Sequence, residues 1–236
     1  MKTLIMVPAM GCDRGLYVEQ ARGLGDIVSL QTIIADGDRL EACVEQILAA
    51  APERFVILGT SFGGRVALET ALAAPDRVEG LVVIGASAGP SPNPAAGLER
   101  SRRLRSAEFN QVVEEMANMI AHLPGPLGPE ARREFIRMAE AQGGELMARQ
   151  SDALAHRANL VPRLGEIACP ALMLWGVEDR FVSWQDGLKM AAACPHARFV
   201  EIKDCGHFPT LEAPEETNDA IRHWLAANGL GDDKSP

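Results

Sequence analysis

The chain has 236 residues, 47% of them hydrophobic and 23% charged, proportions close to those of globular proteins that enclose one core, so disorder and collagen-like structure are excluded. Its 23 lysines and arginines against 32 aspartates and glutamates leave a net charge of -9, which opposes approach to nucleic acid or to an anionic membrane surface. The five cysteines, Cys12, Cys43, Cys169, Cys194 and Cys205, lack metal-ligand spacing, and a chain of this length needs no disulfide framework. A cytoplasmic setting, with no metal and no cofactor, is the expectation. The apolar stretch after Lys2 is too short for a secretory signal and has no A-x-A site behind it, and no apolar run reaches the roughly 18 residues of a membrane span.

Short apolar runs alternate with longer segments of helical period, the pattern of parallel strands covered on both faces by crossover helices. In chain order the strand runs are Leu4 to Pro8, Ile27 to Ile34, Phe55 to Leu58, Leu81 to Ile84, Ala171 to Trp175 and Arg198 to Ile202. Helices are expected over Arg39 to Ala50, Gly63 to Ala73, Gln185 to Ala193 and Glu215 to Ala227. The fold class is therefore α/β, with a mostly parallel sheet of about six strands. From Gly89 to about Arg163 strands disappear, and amphipathic helical stretches follow one another between Pro- and Gly-rich breaks. Residues 1-88 and 164-230 then form the core, 89-163 an all-helical cap insertion over the strand ends, and 231-236 a frayed tail.

Two pentapeptides match G-x-S-x-G: Gly59-Thr60-Ser61-Phe62-Gly63 and Gly85-Ala86-Ser87-Ala88-Gly89. A nucleophile elbow is a sharp strand-to-helix turn, so a helix must follow the serine. Twelve residues of good helix formers run from Gly63 to Ala74 before Pro75, whereas Ser87 precedes prolines at 90, 92 and 94. Ser61 is the nucleophile candidate and Ser87 a decoy.

A serine hydroxyl needs an imidazole to take its proton and a carboxylate to orient that imidazole, both at strand C-terminal ends. His122 and His156 fall in the insertion, His196 precedes the last strand, and His223 lies inside the final helix; all four read as solvated or packed. His207 follows the last strand, between Gly206 and Pro209, and is the candidate base. Asp179, just after the fifth strand, is the candidate acid; Glu178 competes with it, while Asp204 is too near His207 along the chain.

With Ser61, Asp179 and His207 in that order, the chain resembles the α/β-hydrolase superfamily over nearly its full length, from Pro8-Ala9-Met10-Gly11-Cys12-Asp13 through the elbow to Trp175-Gly-Val-Glu-Asp179 and Asp204-Cys-Gly-His207. It looks most like small bacterial esterase-like members with a helical cap. The turn after the first strand departs from their common form, since Pro8 and Ala9 stand where His and Gly often do. The resemblance implies an oxyanion hole from the backbone N-H groups of Phe62 and Met10; an apolar loop residue closing the core is the plainer reading of Met10.

In the insertion, Val112, Val113, Met116, Met119, Ile120, Phe135, Ile136, Met138 and Met147 are either an adaptable pocket lining or a plain hydrophobic core. Arg100, Arg102, Arg103 and Arg105 are either a clamp for a substrate carboxylate or a solvated basic face. Cys12 and Cys205 leave strand ends without a base partner and read as inert thiols; Trp184 touches substrate or covers the core. The expected activity is hydrolysis of small carboxylic esters or lactones through an acyl-enzyme on Ser61. Two other readings are weighed against it: C-C bond hydrolysis or a menaquinone-pathway-type elimination by the same three residues, and a non-catalytic ligand-binding module.

Overall fold

The computed structural model describes residues 1–232. Strands β1 (Thr3–Val7), β2 (Ser29–Thr32), β3 (Phe55–Thr60), β4 (Val78–Ile84), β5 (Ala171–Gly176) and β6 (Ala197–Ile202) form one six-stranded sheet in the order β2-β1-β3-β4-β5-β6. Every adjacent pair is parallel. The chain winds outward from β1 to β2, then returns past β1 to lay down β3. The strand order therefore reverses between β1 and β3, where parallel sheets open a crevice at their C-terminal ends. Val7 stands opposite Gly59, and Thr60 opposite Ile84, so the loops leaving β1, β3 and β4 emerge side by side.

β3 and β5 are buried at every position, which is why they read as unbroken apolar runs. The edge strands β2 and β6 are half-exposed. The expected run Ile27 to Ile34 shortens to the four residues of β2. Ile27 and Val28 are buried, but their N-H groups donate to Leu24 O in a turn rather than to a neighbouring strand.

Helices α1 (Val18–Leu24), α2 (Leu40–Ala50) and α3 (Phe62–Ala73) precede β4, and α8 (Trp184–Ala193), α9 (Pro209–Glu212) and α10 (Pro214–Ala227) follow β5. α3 packs on β1, β3 and β4, and α8 on β5 and β6. Four more, α4 (Pro94–Leu104), α5 (Phe109–Ile120), α6 (Gly128–Gln142) and α7 (Gly144–Ala155), lie between β4 and β5. α4 packs on α7, and α5 on α6. α1 and α9 are too short to show a helical period in the sequence. Among the described residues no helix is long and apolar enough to cross a membrane.

The C-terminal end differs from a frayed tail as far as residue 232. Leu230 is buried and Asp232 N donates to Ile27 O at 2.9 Å, which fastens this segment beside α1; residues 233–236 of the expected tail lie outside the described residues.

Candidate active site

Ser61 sits between the end of β3 and the start of α3 with φ 55° and ψ -113°, one of two non-glycine residues with positive φ among the described residues. Such a backbone costs on the order of 1–3 kcal/mol and is held only where its surroundings fix it. Here Ser61 N donates to Ile84 O at 2.8 Å, and Arg65 N donates back to Ser61 O at 3.0 Å. Gly63 lets α3 press against β1: a Cβ there would stand 1.9 Å from Val7 O. The loop after β1 is fixed from below by the single tyrosine, whose hydroxyl donates to Val7 O at 2.7 Å and lies 2.9 Å from Thr60 Oγ1.

Three residues remote in sequence meet at this edge. His207 Nε2 is 2.8 Å from Ser61 Oγ, and His207 Nδ1 is 2.7 Å from Asp179 Oδ2. The tautomer that suits both contacts has Nδ1-H donating to the carboxylate and Nε2 accepting from the hydroxyl. Asp179 spends its other oxygen on the N-H groups of Phe181 and Val182, at 2.8 and 3.0 Å, and its side chain is fully buried. His207 is 2% exposed, between the rings of Phe181 at 4.9 Å and Phe208 at 5.3 Å. Gly85, at φ 58°, passes directly beneath: a Cβ there would lie 3.1 Å from His207 Nδ1 and 3.2 Å from Asp179 Oδ2. The loop after β4 thus leaves room for the pair and supplies no carboxylate of its own.

The loop carrying His207 is held by a residue that no sequence signal singled out. The buried Glu212 accepts from His122 N at 2.8 Å, Gly206 N at 3.0 Å and Phe208 N at 3.1 Å. Burial pushes its carboxyl up, and the three N-H donors oppose that. His207 N also donates to Ile120 O at 2.8 Å, so the loop is bound to the end of α5. Glu178, the alternative acid, points away: its carboxylate accepts from Cys205 N at 2.9 Å and clasps the loops after β5 and β6 together.

The remaining candidates fall where packing puts them. His156, His196 and His223 are exposed, and His122 is half-buried in the turn after α5. Ser87 Oγ accepts from Gly89 N at 3.1 Å and has no histidine beside it. Cys12 and Cys205 are fully buried, and burial pushes both thiols up, away from the reactive thiolate. Trp184 is half-buried against the core and lines neither cavity at Ser61. Phe181 lines both.

Met10 and Phe62 flank Ser61 from two elements. Phe62 begins α3, where backbone N-H groups have no intrahelical partner. Met10 N donates to no acceptor among the described residues. The departure from His-Gly before it is accommodated by a turn, Cys12 N to Ala9 O at 3.0 Å, and by Gln150 of α7, whose Oε1 accepts from Gly11 N at 3.0 Å.

Two cavities open at Ser61. The larger, about 290 Å³, runs under α4 and the end of α7 and includes Arg65 and Arg157; the smaller, about 60 Å³, is enclosed by Ala9, Met10, Met116, Ile120 and Phe208 and touches His207; Arg100 lines both. Of the apolar residues of the insertion, Met116 and Ile120 line the smaller cavity. Phe135, Met138 and Met147 are fully buried in the helical core, and Met119 is 41% exposed. The arginine cluster divides as well. Arg102, Arg103 and Arg105 pair with Glu99, Glu108, Glu115, Glu145 and Asp152 on the surface, and Arg100 alone of the four lines the cavities at Ser61.

The parallel sheet, the strained serine turn and the histidine and aspartate behind it form an arrangement that can activate a serine hydroxyl. Residues 10–220 match the model of the alpha/beta hydrolase family, and the chain belongs to that family. It is 31% identical, over 82% of its length and 71% of the relative's, to a 2-hydroxy-6-oxononadienedioate/2-hydroxy-6-oxononatrienedioate hydrolase of Paraburkholderia xenovorans. Among solved structures it is similar to a thermophilic esterase from Thermogutta terrifontis, with TM-score 0.88 and 25% identity over 97% of this chain and 90% of that one. The enol-lactonase from Burkholderia xenovorans shares the fold, with TM-score 0.87 and 18% identity over 95% of this chain and 91% of that one.

Proposed function

We propose that the protein is a serine hydrolase that cleaves small carboxylic esters or lactones through an acyl-enzyme on Ser61, without a cofactor. The observation that carries this reading is the unbroken line of hydrogen bonds from Ser61 Oγ through His207 to Asp179, opening on two cavities. In this reading Ser61 Oγ attacks the carbonyl carbon while His207 Nε2 takes the hydroxyl proton, and Asp179 stabilises the imidazolium that results. The N-H groups of Met10 and Phe62 hold the oxyanion. Collapse of the tetrahedral species breaks the bond to the leaving oxygen, which takes the proton from His207. Water then gives its proton to His207 and its oxygen to the acyl carbon, and Ser61 departs with that proton. The similarity to the Thermogutta esterase supports the ester reading. Five free thiols suit a reducing, cytoplasmic setting.

Ser61→Ala should lower kcat/KM for p-nitrophenyl butyrate by about 10³-fold or more in protein that melts as the wild type does, and should abolish labelling by a fluorophosphonate. Equal turnover by the two proteins refutes the reading. A second reading, C-C bond hydrolysis by the same residues, is favoured by the name of the 31% identical relative. Turnover of 2-hydroxy-6-oxononadienedioate by a protein that leaves esters untouched would select it.

A further inference from the structure

The larger cavity has an unusual charge for this protein. Its lining includes three arginines and no aspartate or glutamate, in a chain whose net charge is -9. Arg65 is neutralised: its guanidinium pairs with Glu69 at 2.8 Å and donates to Gly89 O and Ala158 O at 3.0 and 2.6 Å. Arg157 donates to the carbonyls of Gly89, Leu154 and Pro90 at 3.0, 3.4 and 3.4 Å but meets no carboxylate. Arg100 is the least satisfied. Its Nε donates to Ser151 Oγ at 2.9 Å, and its two terminal nitrogens have no acceptor among the described residues. Burial lowers the Arg100 guanidinium, and Arg157 is pushed down to about 10 by burial and by the charges of Arg65 and Arg100; both remain cationic at neutral pH. Two guanidinium charges beside one cavity without a counter-ion are costly unless a ligand supplies the anion, and a planar guanidinium with free terminal nitrogens matches a carboxylate bidentately.

The position of His207 orients that ligand. A leaving oxygen must take its proton from His207 Nε2, so the leaving group lies on the imidazole side of Ser61. The imidazole lines the smaller cavity, where Arg100 at the border of the two is the one charged neighbour besides His207, and is absent from the lining of the larger one. The acyl half is therefore in the larger cavity, the one that also holds Arg157, with Arg100 at the border between the two.

From these two observations we infer that the substrate is a small alkyl monoester of a dicarboxylic acid, with its acyl half in the larger cavity, the free carboxylate on Arg100 beside Arg157, and a short alcohol in the cavity closed by Met116 and Ile120. The inference rests on the ester-hydrolase reading above and assigns direction and charge within it. The overall reaction adds one water to the ester carbonyl and yields a dicarboxylate and a short alcohol.

The test compares four esters on the purified wild type: monomethyl glutarate, its neutral counterpart methyl pentanoate, monobutyl glutarate, and butanoyloxyacetate, which carries the carboxylate on the alcohol side. The expected order places monomethyl glutarate roughly tenfold or more above each of the others in kcat/KM, and Arg100→Gln should bring its ratio to methyl pentanoate close to one. Met116→Ala should raise the ratio of monobutyl to monomethyl glutarate. Because the wild-type ratios stand without any variant, a misfolded Arg100→Gln leaves the test intact. A preference for methyl pentanoate or for butanoyloxyacetate overturns the assignment while the hydrolase reading stands; failure to cleave any of the four or p-nitrophenyl butyrate overturns both.

Discussion

At the scale of single residues, the same side-chain type has different fates according to its neighbours. Arg102 and Arg103 spend their charge on surface glutamates, where ion pairs contribute little, while Arg100, about one helical turn earlier, lines the cavities at Ser61 without a carboxylate partner among the described residues. Glu178 and Asp179 are adjacent, yet alternation along the chain turns one toward Cys205 and the other toward His207. Glu212 belongs to this scale too, because its two oxygens hold the residues on either side of His207. Replacing one oxygen by an amide nitrogen brings a donor against a backbone N-H. Glu212→Gln is expected to lose about 1–3 kcal/mol of stability, read from denaturant unfolding, and to lower kcat roughly tenfold with a smaller change in KM. An unchanged kcat would assign Glu212 to stability alone. Ser61, Asp179 and His207 are legible in the sequence because each follows an apolar run and lies in a loop with its own glycine. Glu212 is not, since a glutamate in a helical segment has no local mark that distinguishes a buried acceptor from a solvated one.

At the scale of elements, the strand-turn-helix from β3 to α3 decides where Ser61 points. The helix-forming stretch after Ser61 identifies the true G-x-S-x-G match, and the prolines after Ser87 exclude the other, so this element is read from local chemistry alone. What the sequence leaves open is how closely α3 approaches β1. The contact at Gly63 fixes it: a Cβ there would lie 1.9 Å from Val7 O and 2.6 Å from Pro8 O. Gly63→Ala must move the start of α3 away from β1 by roughly an ångström, and a displacement of that size costs on the order of 10²-fold in turnover. Circular dichroism should show the helix content retained while ester turnover falls; full activity would mean that the β1 loop yields instead. The short elements escape prediction for a related reason. α1 and α9 each bury few residues, so their hydrophobic period is too brief to register.

At the scale of the whole molecule, the insertion and the sheet are joined by a few buried polar groups. Arg65, 1% exposed on α3, binds the chain on both sides of the insertion, at Gly89 and at Ala158, and pairs with Glu69. Arg65→Met takes the donor from Ala158 O and from a half-buried carboxylate and leaves Gly89 O to Arg157, so a loss of about 3 kcal/mol is expected, a fall in Tm of roughly 6–12 °C by calorimetry. A Tm within about 2 °C of wild type would show that packing alone joins the two layers. Gln150 makes a second link, from α7 to Gly11 N and Ala35 O, so the helices above the sheet also support the loop that carries Met10.

By itself the sequence determined the α/β class and the succession of strands along the chain, and it pointed to the serine turn and to the histidine and aspartate that lie beside it, because those follow from periodicity, helix propensity and loop chemistry acting within about a dozen residues. Only the tertiary structure decided which arginine meets Ser61, which carboxylate braces His207 and how the space beside the serine is divided. Those outcomes depend on contacts between α3, α4, α5 and α7 and the strand ends, and between residues such as His122 and Glu212, 90 positions apart, and no local pattern encodes a distance across that span.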